Sequence, residues 1–191
     1  MGTAILVLAA GKSNRMGSPK QLLKFGETTM LGTVVNNSLT SKANAVIVVI
    51  GAYAEEIKIG LPKTIQVVVN DEFETGLSSS IKKGVRRLLD FDSILIALGD
   101  QPFVSSSYFN EMMELGAKNP NKIIASEYIK HNGVPALFPK KFFKDLLRVS
   151  GDKGAKMLLN SDEYPVLILK STVNLFDVDT PEDYNILDKN K

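Results

Sequence analysis

The strongest constraint on this chain is a series of short apolar blocks that lack polar alternation. Ala4–Leu8, Ala45–Ile50, Ile65–Val69 and Ser93–Leu98 are dominated by Val, Ile and Leu. Lys122–Ala125, Val134–Phe138, Val166–Leu169 and Leu175–Val178 continue the series. A strand with one wet face alternates polar and apolar residues, whereas an unbroken apolar run needs cover on both faces, as in a parallel sheet. Helical patterns lie between the blocks. Ile81, Val85, Leu88 and Leu89 recur at helical spacing behind Ser78–Ser80, and Phe142, Phe143, Leu146 and Leu147 do so behind Pro139. Thr180 as N-cap, Pro181 next, and Glu182 and Asp183 in the first turn mark the start of a last helix. This alternation predicts an α/β fold: a three-layer α/β/α sandwich around a mainly parallel, Rossmann-like sheet. With 191 residues and no linker or repeat, a single domain over residues 1–191 is expected.

The predicted strands organise the unusual residues. A glycine-containing loop from Gly11 follows the first strand, Gly51 the second, Asn70 the third and Gly99-Asp100 the fourth. In open α/β sheets, ligands bind beyond the carboxyl ends of the strands, so these residues gather on the edge where a site is expected. Composition removes several alternatives. The net charge of +2 is too small to argue for nucleic acid or a membrane surface. The absence of cysteine excludes disulfides, thiolate metal sites and a cysteine nucleophile. Ala4–Ala10 is too short for a signal peptide or membrane span, and Leu6 stands where a myristoylation signal needs Ser or Thr, so a cytoplasmic location is expected. His131, the single histidine, precedes a turn and is given no catalytic role, which disfavours Ser-His-Asp hydrolysis.

The loop after the first strand contains Gly11-Lys12-Ser13, but Leu6 occupies the place of the glycine a P-loop needs, and no G-x-G-x-x-G is present. What remains is a turn with Gly11 and Gly17 and three cations, Lys12, Arg15 and Lys20. Small residues let backbone N–H groups approach an anion, Arg15 suits forked contact with phosphate oxygens, and Lys20 supplies a compact charge. A solvated basic loop is the plain alternative. Asp100, between Gly99 and Gln101-Pro102 at a strand end, is placed either to hold a cation or to start a turn.

The string Leu-Ala-Ala-Gly-x-Ser-x-Arg-Met-Gly-x-Pro-Lys-Gln-Leu-Leu from Leu8 to Leu23 resembles the signature of nucleotidyltransferases related to molybdenum cofactor cytidylyltransferase. These belong to the glycosyltransferase-A-like group, with the nucleotide-diphospho-sugar transferase type of fold. The resemblance implies that Leu8, Ala9, Ala10, Gly11 and Lys12 meet the nucleotide, and that Arg15, Lys20 and Asp100 are catalytic. Gly99-Asp100-Gln101-Pro102 resembles the family's metal motif, and Asp177-Val178-Asp179-Thr180-Pro181-Glu182-Asp183 its terminal Asp-x-Asp-Thr-Pro-Glu-Asp. Asp100 and Asp179, rather than Asp177, are the implied ligands of Mg²⁺. A helix-start charge also explains Asp179. Asn70 to Ser80 resembles Asn-Pro-x-x-x-x-Gly-Leu/Met-Ser-Ser-Ser, with Asp71 where the proline usually stands. This implies nucleotide contact by Asn70, Gly76, Ser78 and Ser79, although serines at a helix start also cap it. Gly133-Val134-Pro135 and Gly151-Asp152-Lys153-Gly154-Ala155-Lys156 resemble acceptor-facing segments, implying Gly133, Pro135, Lys153 and Lys156 at the acceptor; Lys156 replaces the usual Arg, and a basic surface turn explains both lysines nearly as well.

The resemblance implies transfer of a nucleoside monophosphate from an NTP to a phosphorylated small-molecule acceptor, with pyrophosphate released. Ala9-Ala10-Gly11 is closer to the CTP branch than the GTP branch, and molybdopterin is the first acceptor it suggests. Methylerythritol phosphate, a sugar phosphate or phosphocholine stay open, as does transient contact with a molybdoenzyme or its chaperone. The alternative from another class is a non-catalytic nucleotide- or cofactor-binding accessory protein for molybdoenzyme maturation.

Overall fold

The computed structural model describes residues 2–170 and 173–189. In chain order the elements are β1 (Thr3–Ala9), β2 (Lys24–Phe25), β3 (Thr28–Thr29), α1 (Met30–Leu39), β4 (Ala45–Ile50), α2 (Ala54–Ile59), β5 (Gln66–Val69) and α3 (Leu77–Val85). There follow β6 (Ser93–Leu98), α4 (Ser106–Lys118), β7 (Ile123–Glu127), β8 (Asn132–Pro139), α5 (Phe143–Leu146), α6 (Lys156–Leu159), β9 (Val166–Leu169) and α7 (Pro181–Lys189). Seven strands form one sheet in the order β5-β4-β1-β6-β8-β7-β9. Strand β8 runs antiparallel to both its neighbours, and the other pairings are parallel.

The sheet is mainly parallel because its middle strands are covered on both faces. In β1, Ala4, Leu6 and Leu8 face α3 and share one core cluster with its Ile81 and Val85 and with Leu146 and Leu158 of α5 and α6. Ile5, Val7 and Ala9 point the other way, into a cluster with Leu31, Val34 and Val35 of α1 and with Phe109 and Met112 of α4. Ala4 to Val7 are fully buried, and each buried Leu, Ile or Val contributes about 1.5–3 kcal/mol of transfer free energy. Two apolar layers around one sheet give the three-layer sandwich.

Some expected elements differ. Leu175–Val178 is not a strand. Its polar backbone is engaged elsewhere: the Val178 amide donates to the Asp100 carbonyl (3.3 Å), and the Leu175 carbonyl accepts from the Gln101 amide (3.3 Å). The segment is thus sewn to the loop after β6 instead of joining the sheet, whose edge is already taken by β9. Helix α3 stops at Val85, short of the predicted Leu88 and Leu89; Leu88 still reaches the core from the following turn, whereas Leu89 is exposed. The final helix begins as expected, with the Asp183 amide donating to Thr180 Oγ1 (3.2 Å) and the Thr180 amide donating to Asp183 Oδ2 (2.8 Å), a reciprocal cap. Among the described residues, no helix is long and apolar enough to cross a membrane.

The chain leaves β1 for β4 and β5 on one side and returns to β6 on the other. The crevice beyond the carboxyl ends of β1 and β6 is therefore a topological switch point, where open α/β sheets bind ligands. Helix α3 flanks this crevice and lies unusually close to the sheet. A Cβ on Gly84 would stand 2.3 Å from Leu6 Cδ1, and Leu6 is fully buried and has no room to yield. Gly84→Ala is expected to destabilise the fold by about 1–3 kcal/mol, read as a lower urea midpoint; an unchanged midpoint would contradict this packing.

Candidate active site

The loop after β1 is pinned from inside. Gln21 is buried, and its side-chain amide donates to the carbonyls of Ala9 (3.2 Å) and Gly11 (2.9 Å). Ser13 adopts a left-handed backbone (φ 55), and Gly17 does so too (φ 67). The Ser13 hydroxyl donates to Gln21 Oε1 (3.2 Å) and accepts from the Lys20 amide (3.1 Å). These bonds fold Gly11–Gln21 back on itself and place Lys20 under the end of β6.

A cleft of about 300 Å³ opens there. Leu8, Ala9, Ala10 and Gly11 form one wall, Leu98, Gly99 and Asp100 another, and Gly76, Leu77 and Ser80 of the α3 start a third, with Phe73 and Asp152 at the margin. Gly99 is held tight by the hydrogen bond its backbone N–H donates to the Leu8 carbonyl (2.9 Å). Gly76 has φ 103, and a Cβ there would lie 2.6 Å from Asp152 Oδ1 and 2.7 Å from the Gly151 carbonyl carbon, so the start of α3 and the turn at 151 close on each other. That φ, with backbone this near, requires glycine.

Other expected nucleotide residues support this cleft without lining it. Asn70 is fully buried and donates to Ser79 Oγ (2.8 Å) and Ser80 Oγ (3.0 Å), while its own oxygen accepts from the Glu72 amide (3.1 Å). The hydroxyls of Ser78 and Ser79 donate to the carbonyls of Gly151 (2.6 Å) and Gly76 (2.8 Å). Lys12 stands at the mouth, ion-paired to Glu74 and 5.7 Å from the Phe73 ring centroid.

At the floor, Lys20 Nζ bridges two carboxylates. It lies 2.5 Å from Asp100 Oδ2 and 2.7 Å from Asp179 Oδ1, and Arg15 holds Asp179 Oδ2 at 2.9 Å. Burial pulls the Lys20 pKa down, but the charges and hydrogen bonds of Asp100 and then Asp179 outweigh it, leaving it above the usual lysine value. Burial likewise pushes Asp179 up, and the bonds and charges of Lys20 and Arg15 bring it below the ordinary carboxylate value. Asp100 Oδ1 is buried and has no hydrogen-bond partner among the described residues. Two aspartates, one with a free oxygen, suit a hard divalent cation that takes its other ligands from phosphates and water.

Beyond Asp179 lies a second cleft of about 560 Å³, lined by Arg15, Glu127, Tyr128, Ile129, Phe176, Asp177 and neighbouring residues. It borders the first where Lys20 joins Asp100 to Asp179. Of the expected acceptor residues, Gly133 and Pro135 are buried in β8 and lie behind this cleft: a Cβ on Gly133 would stand 2.6 Å from the Tyr128 ring, so glycine lets that ring lie on the strand. Lys153 and Lys156 are exposed and line neither cleft.

Sequence reasoning missed the network that fixes this border. Gln101 Nε2 donates to Asp177 Oδ1 (2.7 Å) and the Leu175 carbonyl, and lies 2.7 Å from Tyr128 Oη, which donates to the Val134 carbonyl (2.5 Å). Burial first, then the charge of Asp100, raises the Asp177 pKa to about 6. The position of Gln101 directly after Asp100 was the available signal.

The MobA-like NTP transferase domain matches residues 5–166, most of the chain and all of the sheet strands up to the start of β9. The chain belongs to this family. In this chain the Leu8–Leu23 string leaves the end of β1 and Gly99-Asp100-Gln101-Pro102 follows β6, the strand beside it. Purine catabolism protein PucB of Bacillus subtilis is 31% identical, over 94% of this chain and 93% of its own length. The molybdenum cofactor cytidylyltransferase of Escherichia coli is 27% identical, over 94% of this chain and 92% of its own. The solved structure of Rv0371c from Mycobacterium tuberculosis superposes with a TM-score of 0.87 at 33% identity, covering 97% of this chain and 96% of that one. That protein has also been crystallised in complex with manganese.

For this MobA-like enzyme, the buried Gln21 clamp should matter to ligand binding as well as to folding. Gln21→Ala is expected to cost about 1–3 kcal/mol of stability and to weaken NTP binding about tenfold in calorimetric titration. Unchanged affinity would show that the loop holds its shape without the clamp.

Proposed function

We propose that this chain transfers CMP from CTP to the phosphate of molybdopterin in the cytoplasm, with Mg²⁺ as the metal. The observation that carries the reading is the meeting of two clefts at Asp100, Lys20 and Asp179. A two-substrate transfer needs two pockets with the reacting phosphates between them. In this reading the nucleotide lies in the first cleft, its base against Leu8, Ala9, Ala10 and Gly11 and beside Gly76, with Asn70, Ser78 and Ser79 holding the far wall. The acceptor lies in the second, on the Tyr128 side that Gly133 and Pro135 support. Lys153 and Lys156 would engage it only at a distance from that cleft.

Asp100 and Asp179 would hold Mg²⁺, which supplies charge neutralisation at the triphosphate. The acceptor phosphate is already anionic, so its oxygen attacks the α-phosphorus without a protein base and pyrophosphate leaves. Arg15 and Lys20 neutralise the charge that builds on the phosphates, and Lys12 extends that field to the cleft mouth. The Gln21 clamp keeps the loop amides turned inward. Passage of the product to a molybdoenzyme or its chaperone is part of the same proposal.

Two outcomes are expected. Asp100→Asn should fold normally and lose about 10²- to 10³-fold or more in kcat; wild-type turnover would remove Asp100 from the mechanism. Across the four NTPs, with and without molybdopterin, pyrophosphate release should be greatest with CTP and should require the acceptor. Absence of release with molybdopterin and every NTP would instead point to another phosphorylated acceptor or a binding role.

A further inference from the structure

The place between Asp100 and Asp179 already holds a cation, the ammonium of Lys20. Nζ lies 2.5 Å from one carboxylate and 2.7 Å from the other, and the lysine side chain is only 13% exposed. The remaining Asp179 oxygen is held by Arg15 at 2.9 Å. Two carboxylates and two cations therefore cancel. A free divalent ion arriving here finds no uncompensated charge, and it has to approach an ammonium packed against both of its ligands. In a partly buried cluster that repulsion is poorly screened.

We propose that Lys20, besides its charge role at the phosphates, gates the metal: it competes with the divalent cation for Asp100 and Asp179, so the cation binds tightly only together with a triphosphate. The triphosphate supplies the missing negative charge and offers Lys20 other anionic partners. Lys20 sits at the foot of the loop that lines the first cleft and is itself part of that lining, so its ammonium moves from carboxylate to phosphate without leaving the cleft. Asp100 Oδ1, buried and without a hydrogen-bond partner among the described residues, is the oxygen left for the cation to engage first. The inference rests on the metal assignment proposed above and adds an order to it.

The test uses the whole metal-free protein without nucleotide and follows Mn²⁺ binding by the paramagnetic resonance signal of the free ion. Lys20→Met and Lys20→Gln remove the competing charge, and each is expected to bind Mn²⁺ about tenfold or more tightly than wild type. Mn²⁺ should also raise the melting temperature of these variants while scarcely moving that of the wild type. Adding Asp100→Asn to Lys20→Met should abolish the gain. If both Lys20 variants bind Mn²⁺ no more tightly than wild type, while Asp100→Asn weakens binding, the metal assignment stands and the gate is overturned. If Asp100→Asn leaves Mn²⁺ binding unchanged in every background, the metal assignment falls and the gate falls with it. Using two substitutions keeps the test decisive if one of them fails to fold.

Discussion

The structure depends on strand β1 being dry on both faces. Covering it takes a helix layer on each side, and the two layers share no residues along it: Ala4, Leu6 and Leu8 serve one, Ile5, Val7 and Ala9 the other. A strand buried this way ends abruptly where the chain must reach solvent. The backbone groups at that end cannot be satisfied by further sheet, so they turn to the loop. Gln21 answers the carbonyls of Ala9 and Gly11, and Gly99 answers Leu8. The site is thus the solution to a hydrogen-bonding problem that the core creates.

Charge is handled with the same economy. The net charge of the chain is small, yet two basic and two acidic side chains of the loop, β6 end and C-terminal segment meet at one cleft border, Arg15 and Lys20 against Asp100 and Asp179, while Lys12 pairs with Glu74 at the mouth. Pairing keeps these groups charged and oriented in a partly buried place. An unpaired charge of either sign there would pay a desolvation penalty.

Much of this was legible in the sequence. Solid apolar blocks revealed the buried parallel strands, and the residues following them fell on one edge, as Asp100 and the Gly11–Gln21 loop do. Thr180 and Asp183 announced the last helix by side-chain chemistry alone. Other features were hidden because they depend on long-range partners. Leu175–Val178 has the look of a strand, but its backbone bonds to the loop after β6, and local pattern carries no record of that. The resemblance implies nucleotide contact by Asn70 and Ser79; that they also bond to each other and to the Gly76 carbonyl leaves no mark in the sequence. The Gln101–Tyr128–Asp177 network joins three distant segments, so no spacing rule reveals it.

The Arg15–Asp179 contact spans 164 positions of sequence. The loop and Asp100 belong to strands that pair early in the chain, but the second carboxylate comes after the whole sheet. During synthesis, then, the sheet is able to assemble around its core while Arg15 and Lys20 still lack one of their anions. The border between the two clefts closes only when the segment at 179 emerges and docks. Assembly of the sheet and completion of the ion-pair cluster are in this way separable, and a nascent chain that has folded its sheet has the first cleft but not the finished cluster at its border.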